Sequence, residues 1–374
     1  MRYAKPLGKL FYTGSKALLD DLLRQTLHTD KAPAHQHNEY PILLMHGFMG
    51  YKSLSLFNRQ FFDYFNGAKQ VLQQLGYSVY AYEVSPLDPL QDRVIEWSRH
   101  VERALKDSGA EKLHIIAHSQ GAIDARVLAA DTDNRCQTPH HGEIGGMGYG
   151  DKIASITSIA GPHLGTPLAE HTESKETRAL ITDLIDFIAM ANAAQPLQVR
   201  KALDTLSRDY MVTTFNPSIR VPDMIPCYTV AANPLSEQQT SFLFDKTWQH
   251  ISDIAEFDGG GANDGFVPVS SAFFEGQATA LRNSNKLQWQ PLGQVTTDHI
   301  GLVGLTGAGT DEPFSHVPML VGLCQNIDTC YTQNLSLALQ TDGKWRRHQH
   351  SATGSHALER SVELALQNGS KTPA

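Results

Sequence analysis

The stretch Lys112-Leu-His-Ile-Ile-Ala-His-Ser-Gln-Gly121 constrains this chain more than any other. An Ile-rich apolar run of the kind that forms a buried strand leads into A-H-S-Q-G. A helical pattern from Ala122 to Ala130 follows at once. A strand that turns directly into a helix around a serine is a nucleophile elbow: the tight, strained turn presents the hydroxyl at its tip. Small residues are needed on both sides because strand and helix nearly touch across the turn. The usual first glycine is Ala117 here, which adds only a methyl. Ser119 is therefore the candidate nucleophile. An ordinary serine on a surface turn is the competing reading.

A serine hydroxyl is a poor nucleophile at neutral pH. It needs an imidazole to take its proton and a carboxylate to orient that imidazole. Around such an elbow the chain order is serine, acid, histidine. The acid expected is Asp264, in Gly259-Gly-Gly-Ala-Asn-Asp-Gly-Phe-Val-Pro268, a glycine-rich turn read as following a strand. Asp258 is the fallback, and a plain Asp-Gly turn is the alternative. The base expected is His299 in Thr296-Thr-Asp-His-Ile-Gly301, on a loop after the apolar-rich segment Leu287 to Val295, with His316 as competitor. Asp298 is set aside as the acid because adjacent side chains rarely face each other. An oxyanion hole needs two backbone N–H donors. Gln120, next after the nucleophile, is one. Phe48, in Leu44-Met-His-Gly-Phe-Met-Gly50 after an early strand, is the other, unless His46-Gly47 is only a turn.

Strand patterns at Tyr40–Met45, Tyr77–Val84, Lys112–Ala117, Lys152–Ile159 and Ile225–Ala231 alternate with helical ones at 68–75 and Leu90–Asp107. The alternation predicts an α/β fold with a mostly parallel sheet covered on both faces, in one domain over 1–374. Ligands of such sheets sit beyond the carboxyl ends of the strands, which is where the elbow and the loop after Met45 fall. Residues 132–151 are polar and Gly-rich and read as a loop. Residues 165–222 are helical and amphipathic, with Leu180, Ile181, Leu184, Ile185, Phe187 and Ile188 close together, and read as a cap or lid over the active-site edge. Further helices are expected at 15–28 and 356–367.

With 374 residues, 41% of them hydrophobic, the chain can bury a substantial core. A net charge of -8, a pI of about 6.1 and no Lys/Arg run argue against nucleic acid or an anionic membrane as partner. No stretch approaches the roughly 20 apolar residues of a membrane-spanning helix. The N-terminus lacks the apolar core of a secretory signal, so the reading is a cytoplasmic or an already mature protein. Cysteines stand at 136, 227, 324 and 330, with no CxxC, which gives little support to zinc or a thiol redox pair. Cys324 and Cys330 are close enough in sequence to bridge; two buried thiols are the alternative. His140-His141 reads as surface rather than a metal site. No cofactor is expected.

Four blocks share local wording and order with a known family: PILLMHGFMG, KLHIIAHSQGAIDARVLAA, ITSIAGPHLGTPLAE, and GANDGFVPVSS with TTDHIGLVG. LSRDYMVTTFNPSIRVPDMIPCYTVAAN adds a fifth stretch. On these blocks, which span most of 40–305, the chain resembles the true bacterial lipases of the α/β-hydrolase superfamily. A subset of these lipases has the alanine found at Ala117. The resemblance implies an α/β-hydrolase fold and a triad of Ser119, Asp264 and His299. It also implies oxyanion donors Phe48 and Gln120, a helical lid, and hydrolysis of acylglycerol esters at a lipid–water interface. The same triad would serve a short-chain esterase, a polyester hydrolase or an acyltransferase. A hydrolase-fold binding protein without activity is a third reading.

Three departures stand out. Many such lipases hold a structural calcium with a carboxylate two residues after the histidine. That position is Gly301 here, and Glu237 alone is too little for an ion that takes about six to eight oxygens. Ser85-Pro-Leu87 runs directly into a helix, without the family's zinc-binding insertion. Ser270 stands where one subfamily has a disulfide cysteine.

Overall fold

The computed structural model describes residues 37–48, 64–170, 174–192, 194–241, 243–254, 261–275, 289–305 and 314–333, with short strands at 337–339 and 345–347. The helices expected at 15–28 and 356–367, and Asp258, lie outside the described residues.

The chain runs β1 (His37–Met45), α1 (Ala68–Gln74), β2 (Tyr77–Ala81), α2 (Leu90–Ser108), β3 (Leu113–His118) and α3 (Gln120–Ala129). A hairpin follows, β4 (Arg135–Thr138) and β5 (Gly142–Gly145). Then come β6 (Ile153–Ile159), α4 (Lys175–Ala191), α5 (Pro196–Asp204), β7 (Cys227–Ala232), α6 (Asp245–Ser252), β8 (Trp289–Val295) and α7 (His316–Gln333). Six strands form one sheet in the order β2-β1-β3-β6-β7-β8, and every neighbouring pair is parallel. The parallel sheet expected from the alternating pattern is the sheet observed.

Residue type explains the layers. Every residue of β3, β6 and β7 is buried, as for strands covered on both faces. α2 lays Val94, Trp97, Val101 and Leu105 on the core at helical spacing, and the Gly109 N–H closes its last turn on the Leu105 carbonyl. α3 is buried on all sides, so the helix that follows Ser119 lies inside the molecule. Polar groups there need partners: Asp124 takes Arg93 at 2.5 Å and the Trp97 indole N–H at 3.0 Å. Arg93 also donates to the His46 carbonyl, pinning the turn after β1.

Several expectations change. Residues 132–151 hold the β4–β5 hairpin rather than plain loop. Each of its strands buries a single apolar residue, Cys136 opposite Ile144, too few to show alternation. The strand read over Tyr77–Val84 stops at Ala81. Among the described residues the element before the Asp264 loop is helix α6, where a strand was expected. Cys324 and Cys330 both lie on α7, and six residues along a helix separate Cα atoms by about 9 Å, beyond what a disulfide spans. Between β6 and β7 come α4 and α5, with Ile181, Leu184, Ile185, Phe187 and Ile188 buried.

Candidate active site

Ser119 follows β3 directly and caps α3 with φ 57° and ψ −131°, a region that a residue bearing a β-carbon rarely enters. Its N–H donates to the Ile159 carbonyl of β6, so the strained turn is tied to the sheet. The small residue at 121 answers to β1 rather than to β3: a β-carbon on Gly121 would meet the His46 and Met45 carbonyl oxygens at 2.7 and 2.8 Å. Met45 pairs in register with Ala117, which sets the His46–Phe48 turn beside the elbow. Gln120 opens α3, so the helix itself supplies no acceptor for its N–H.

The candidate base arrives from the far edge. β8 lies three strands from β3, about 14 Å at the usual spacing, and the loop after Val295 must run back across the sheet. It succeeds: His299 Nε2 lies 2.8 Å from Ser119 Oγ, and His299 Nδ1 lies 2.7 Å from Asp264 Oδ2. The His299 N–H donates to the Asp264 carbonyl. Asp264 Oδ1 accepts the N–H groups of Phe266 and Val267 at 2.9 and 2.6 Å, so both carboxylate oxygens are engaged. All three residues are buried. The competitor His316 is elsewhere: its Nε2 donates to the Phe65 carbonyl, and burial lowers its pKa to about 4.

Other residues had no site role in the sequence reading. His46 donates from Nδ1 to the Gly47 carbonyl and accepts the Val84 N–H on Nε2, so it is a neutral brace for the His46–Phe48 turn. Burial first, then nearby Arg93, lowers its pKa to about 3. Asp298, set aside as the acid, grips backbone instead: Oδ1 accepts the Gly301 N–H at 2.8 Å and Oδ2 the Ser241 N–H at 2.6 Å. Burial raises its pKa against those two bonds. Tyr64 and His118 lie next to the site as well. His118 stands in the elbow motif, where it could have been suspected. Tyr64 gives no local sign. At the tip of the β4–β5 hairpin, His140 pairs with Asp204 rather than standing alone.

The residues do not suit the calcium that the resemblance raises. A β-carbon on Gly301 would run into Thr297 Oγ1, so position 301 has no space for a carboxylate. Glu237 is exposed, and among the described residues no three His, Cys, Asp or Glu side chains cluster as metal ligands. No helix among the described residues is long and apolar enough to cross a membrane.

Comparison with known proteins agrees with this architecture. No family model matches the sequence. The triacylglycerol lipase of Pseudomonas fragi is 31% identical over 134 residues, 36% of this chain and 38% of that protein. The triacylglycerol lipase of Vibrio cholerae is 30% identical over 143 residues, 38% of this chain and 39% of that protein. The aligned stretches thus span well under half of either relative. Among solved structures, lipase 1 from Pelosinus fermentans superposes with a TM-score of 0.52 at 18% identity, covering 78% of this chain and 99% of its own. EstA from Clostridium botulinum gives 0.53 at 16% identity, covering 83% and 90%. The chain has the α/β-hydrolase fold and is a homologue, over part of its length, of bacterial triacylglycerol lipases.

Proposed function

We propose that this protein is a serine carboxylic-ester hydrolase of lipase type that cleaves acylglycerols through Ser119, His299 and Asp264. The observation that carries the reading is the continuous hydrogen-bonded run from Ser119 Oγ through His299 to Asp264 Oδ2. The Ser119 hydroxyl donates to Nε2, and the imidazole takes the proton as Oγ attacks the ester carbonyl carbon. The carbonyl electron pair moves onto its oxygen, which the Phe48 and Gln120 N–H groups receive; each such donor is worth about 3 kcal/mol. His299 returns the proton to the departing alcohol. Water then releases the acyl group by the same steps in reverse order of roles. Asp264 holds Nδ1 protonated and stabilises the imidazolium.

The segment 165–222 is proposed as the lid of this single domain. Its support is the run of helices between β6 and β7, of which α4 and α5 are the longest, with Met190 and Leu197 exposing 49% and 65% of their surface. Hydrolysis of p-nitrophenyl esters from acetate to palmitate tests the reading. Rising rates with chain length and at an emulsion interface are expected. A peak at acetate without interfacial gain would leave a short-chain esterase. Ser119→Ala should cost on the order of 10⁶ in rate.

A further inference from the structure

One unbroken run of hydrogen bonds joins the turn after β1 to the loop after β8. The Gly47 N–H points to the Tyr64 hydroxyl at 3.3 Å, that hydroxyl meets His118 Nδ1 at 2.7 Å, and His118 Nε2 meets the His299 carbonyl at 3.0 Å. The direction of each bond follows from what each group can do. A carbonyl only accepts, so Nε2 carries the His118 proton. A neutral imidazole then accepts on Nδ1, so Tyr64 donates there. The Tyr64 oxygen is left to accept from Gly47. His118 is buried, and its ring lies 4.7 Å from that of His299. Burial first, then the facing His299, hold its pKa well below the ordinary value. It therefore puts no second charge against the imidazolium that the reaction forms.

Two distances in the proposed reaction depend on loops that follow strands β1 and β8, which are not neighbours in the sheet. The Phe48 N–H follows Gly47 in the turn after β1, and the His299 imidazole hangs from the loop after β8. A misplacement of about 1 Å at a reacting group costs on the order of 10²-fold in rate. We propose that Tyr64 and His118 are positioning residues that hold the oxyanion turn and the His299 loop in fixed relation to each other. The assignment rests on the reading of Ser119 and His299 as the reacting pair. It gives the histidine of A-H-S-Q-G a task that the triad does not.

The test is kinetics on p-nitrophenyl butyrate, a soluble ester, for Tyr64→Phe, His118→Gln, His118→Phe and the double variants. Tyr64→Phe keeps the ring and removes both bonds of the hydroxyl, to His118 Nδ1 and from the Gly47 N–H, so kcat should fall by at least about tenfold, the scale of one to two lost hydrogen bonds, with KM within about twofold of wild type. His118→Gln can still present an amide N–H toward the His299 carbonyl and should keep more activity than His118→Phe. Because the bonds form one chain, Tyr64→Phe combined with His118→Phe should be no slower than His118→Phe alone. Should His118→Phe fail to fold, the pairing of Tyr64→Phe with His118→Gln decides by the same comparison. Multiplying effects, an unchanged kcat in Tyr64→Phe, or a KM that rises as kcat falls would overturn the assignment. Ser119→Ala separates the two levels. An active Ser119→Ala removes the underlying reading together with this one. An inactive Ser119→Ala beside a wild-type Tyr64→Phe removes only this one.

Discussion

Gly47 rests directly against Ser119: a β-carbon on Gly47 would lie 2.6 Å from the Ser119 Cβ and 3.1 Å from the Gln120 nitrogen. The turn proposed to carry an oxyanion donor and the elbow are therefore packed to the limit of backbone contact. Gly47→Ala must push the turn away from the serine. We expect kcat to fall at least about 100-fold while the circular-dichroism spectrum stays that of the folded protein. Near-wild-type turnover in this variant would mean that Phe48 is not an oxyanion donor.

Asp264→Asn should be inactive for a tautomeric reason. Oδ1 serves the Phe266 and Val267 N–H groups, and Oδ2 faces His299. In asparagine the oxygen must stay with the two backbone donors, which turns the amide N–H₂ toward Nδ1. The imidazole then carries its proton on Nε2 and cannot accept from Ser119. The expected loss is about 10⁴ in kcat with the fold retained, measured as single-turnover acylation.

Asp298 should matter for stability through backbone rather than through a metal. Asp298→Ala leaves the Ser241 and Gly301 N–H groups buried without acceptors, at about 1–3 kcal/mol each. A thermal midpoint several degrees lower is expected, with activity falling as the His299 loop loosens. The calcium chelator EGTA should leave midpoint and activity of the wild type unchanged, because position 301 has no space for a carboxylate and no cluster of acidic ligands stands among the described residues. A drop in midpoint with EGTA, restored by calcium, would contradict this.

Acid should unfold the protein through its buried imidazoles. His46, His114 and His316 have pKa values lowered to about 3, 4 and 4, and those of His118 and His163 lie well below the ordinary value. Burial is the first cause in each. The unfolded chain takes up protons at these positions near pH 6.5 while the folded one does not. Stability is therefore fully present above 6.5 and declines as pH falls toward the folded values. Each such residue contributes about 1.4 kcal/mol per pH unit in that window. Thermal midpoints should be level above pH 7 and fall steeply below 6.5. His316→Gln, which keeps a donor for the Phe65 carbonyl, should flatten the slope by close to one proton.

The parts legible in the sequence are those set by short-range physics. β3 and β6 are buried on both faces, so their Ile-rich runs show plainly, and the elbow is a local steric pattern. Chain order named Asp264 and His299, and the fold brings their side chains together beside Ser119. Chain order did not give their loops: among the described residues the expected strand before Asp264 is α6, because the glycine-rich run after it imitates the end of a strand. Tyr64 and Asp298 were illegible for a different reason. Each acts on backbone groups brought near only by the fold, Gly47 in one case and Ser241 in the other, and no spacing along the chain records that. Gly301 was read as a lost carboxylate. In the folded protein its N–H is itself held by Asp298, and its missing side chain is what lets Thr297 pack there.

The sheet order has a consequence for how the molecule comes to life. Ser119 and His299 are 180 residues apart, and among the described strands β8 lies at the edge of the sheet, paired with β7. Pairing of such distant segments closes long loops before any contact is gained, which makes the last strand slow to dock. Until it does, Ser119 stands without the histidine proposed as its base. During refolding from denaturant, helical signal should return first and esterase turnover later, with an interval in which the chain is compact and chemically inert.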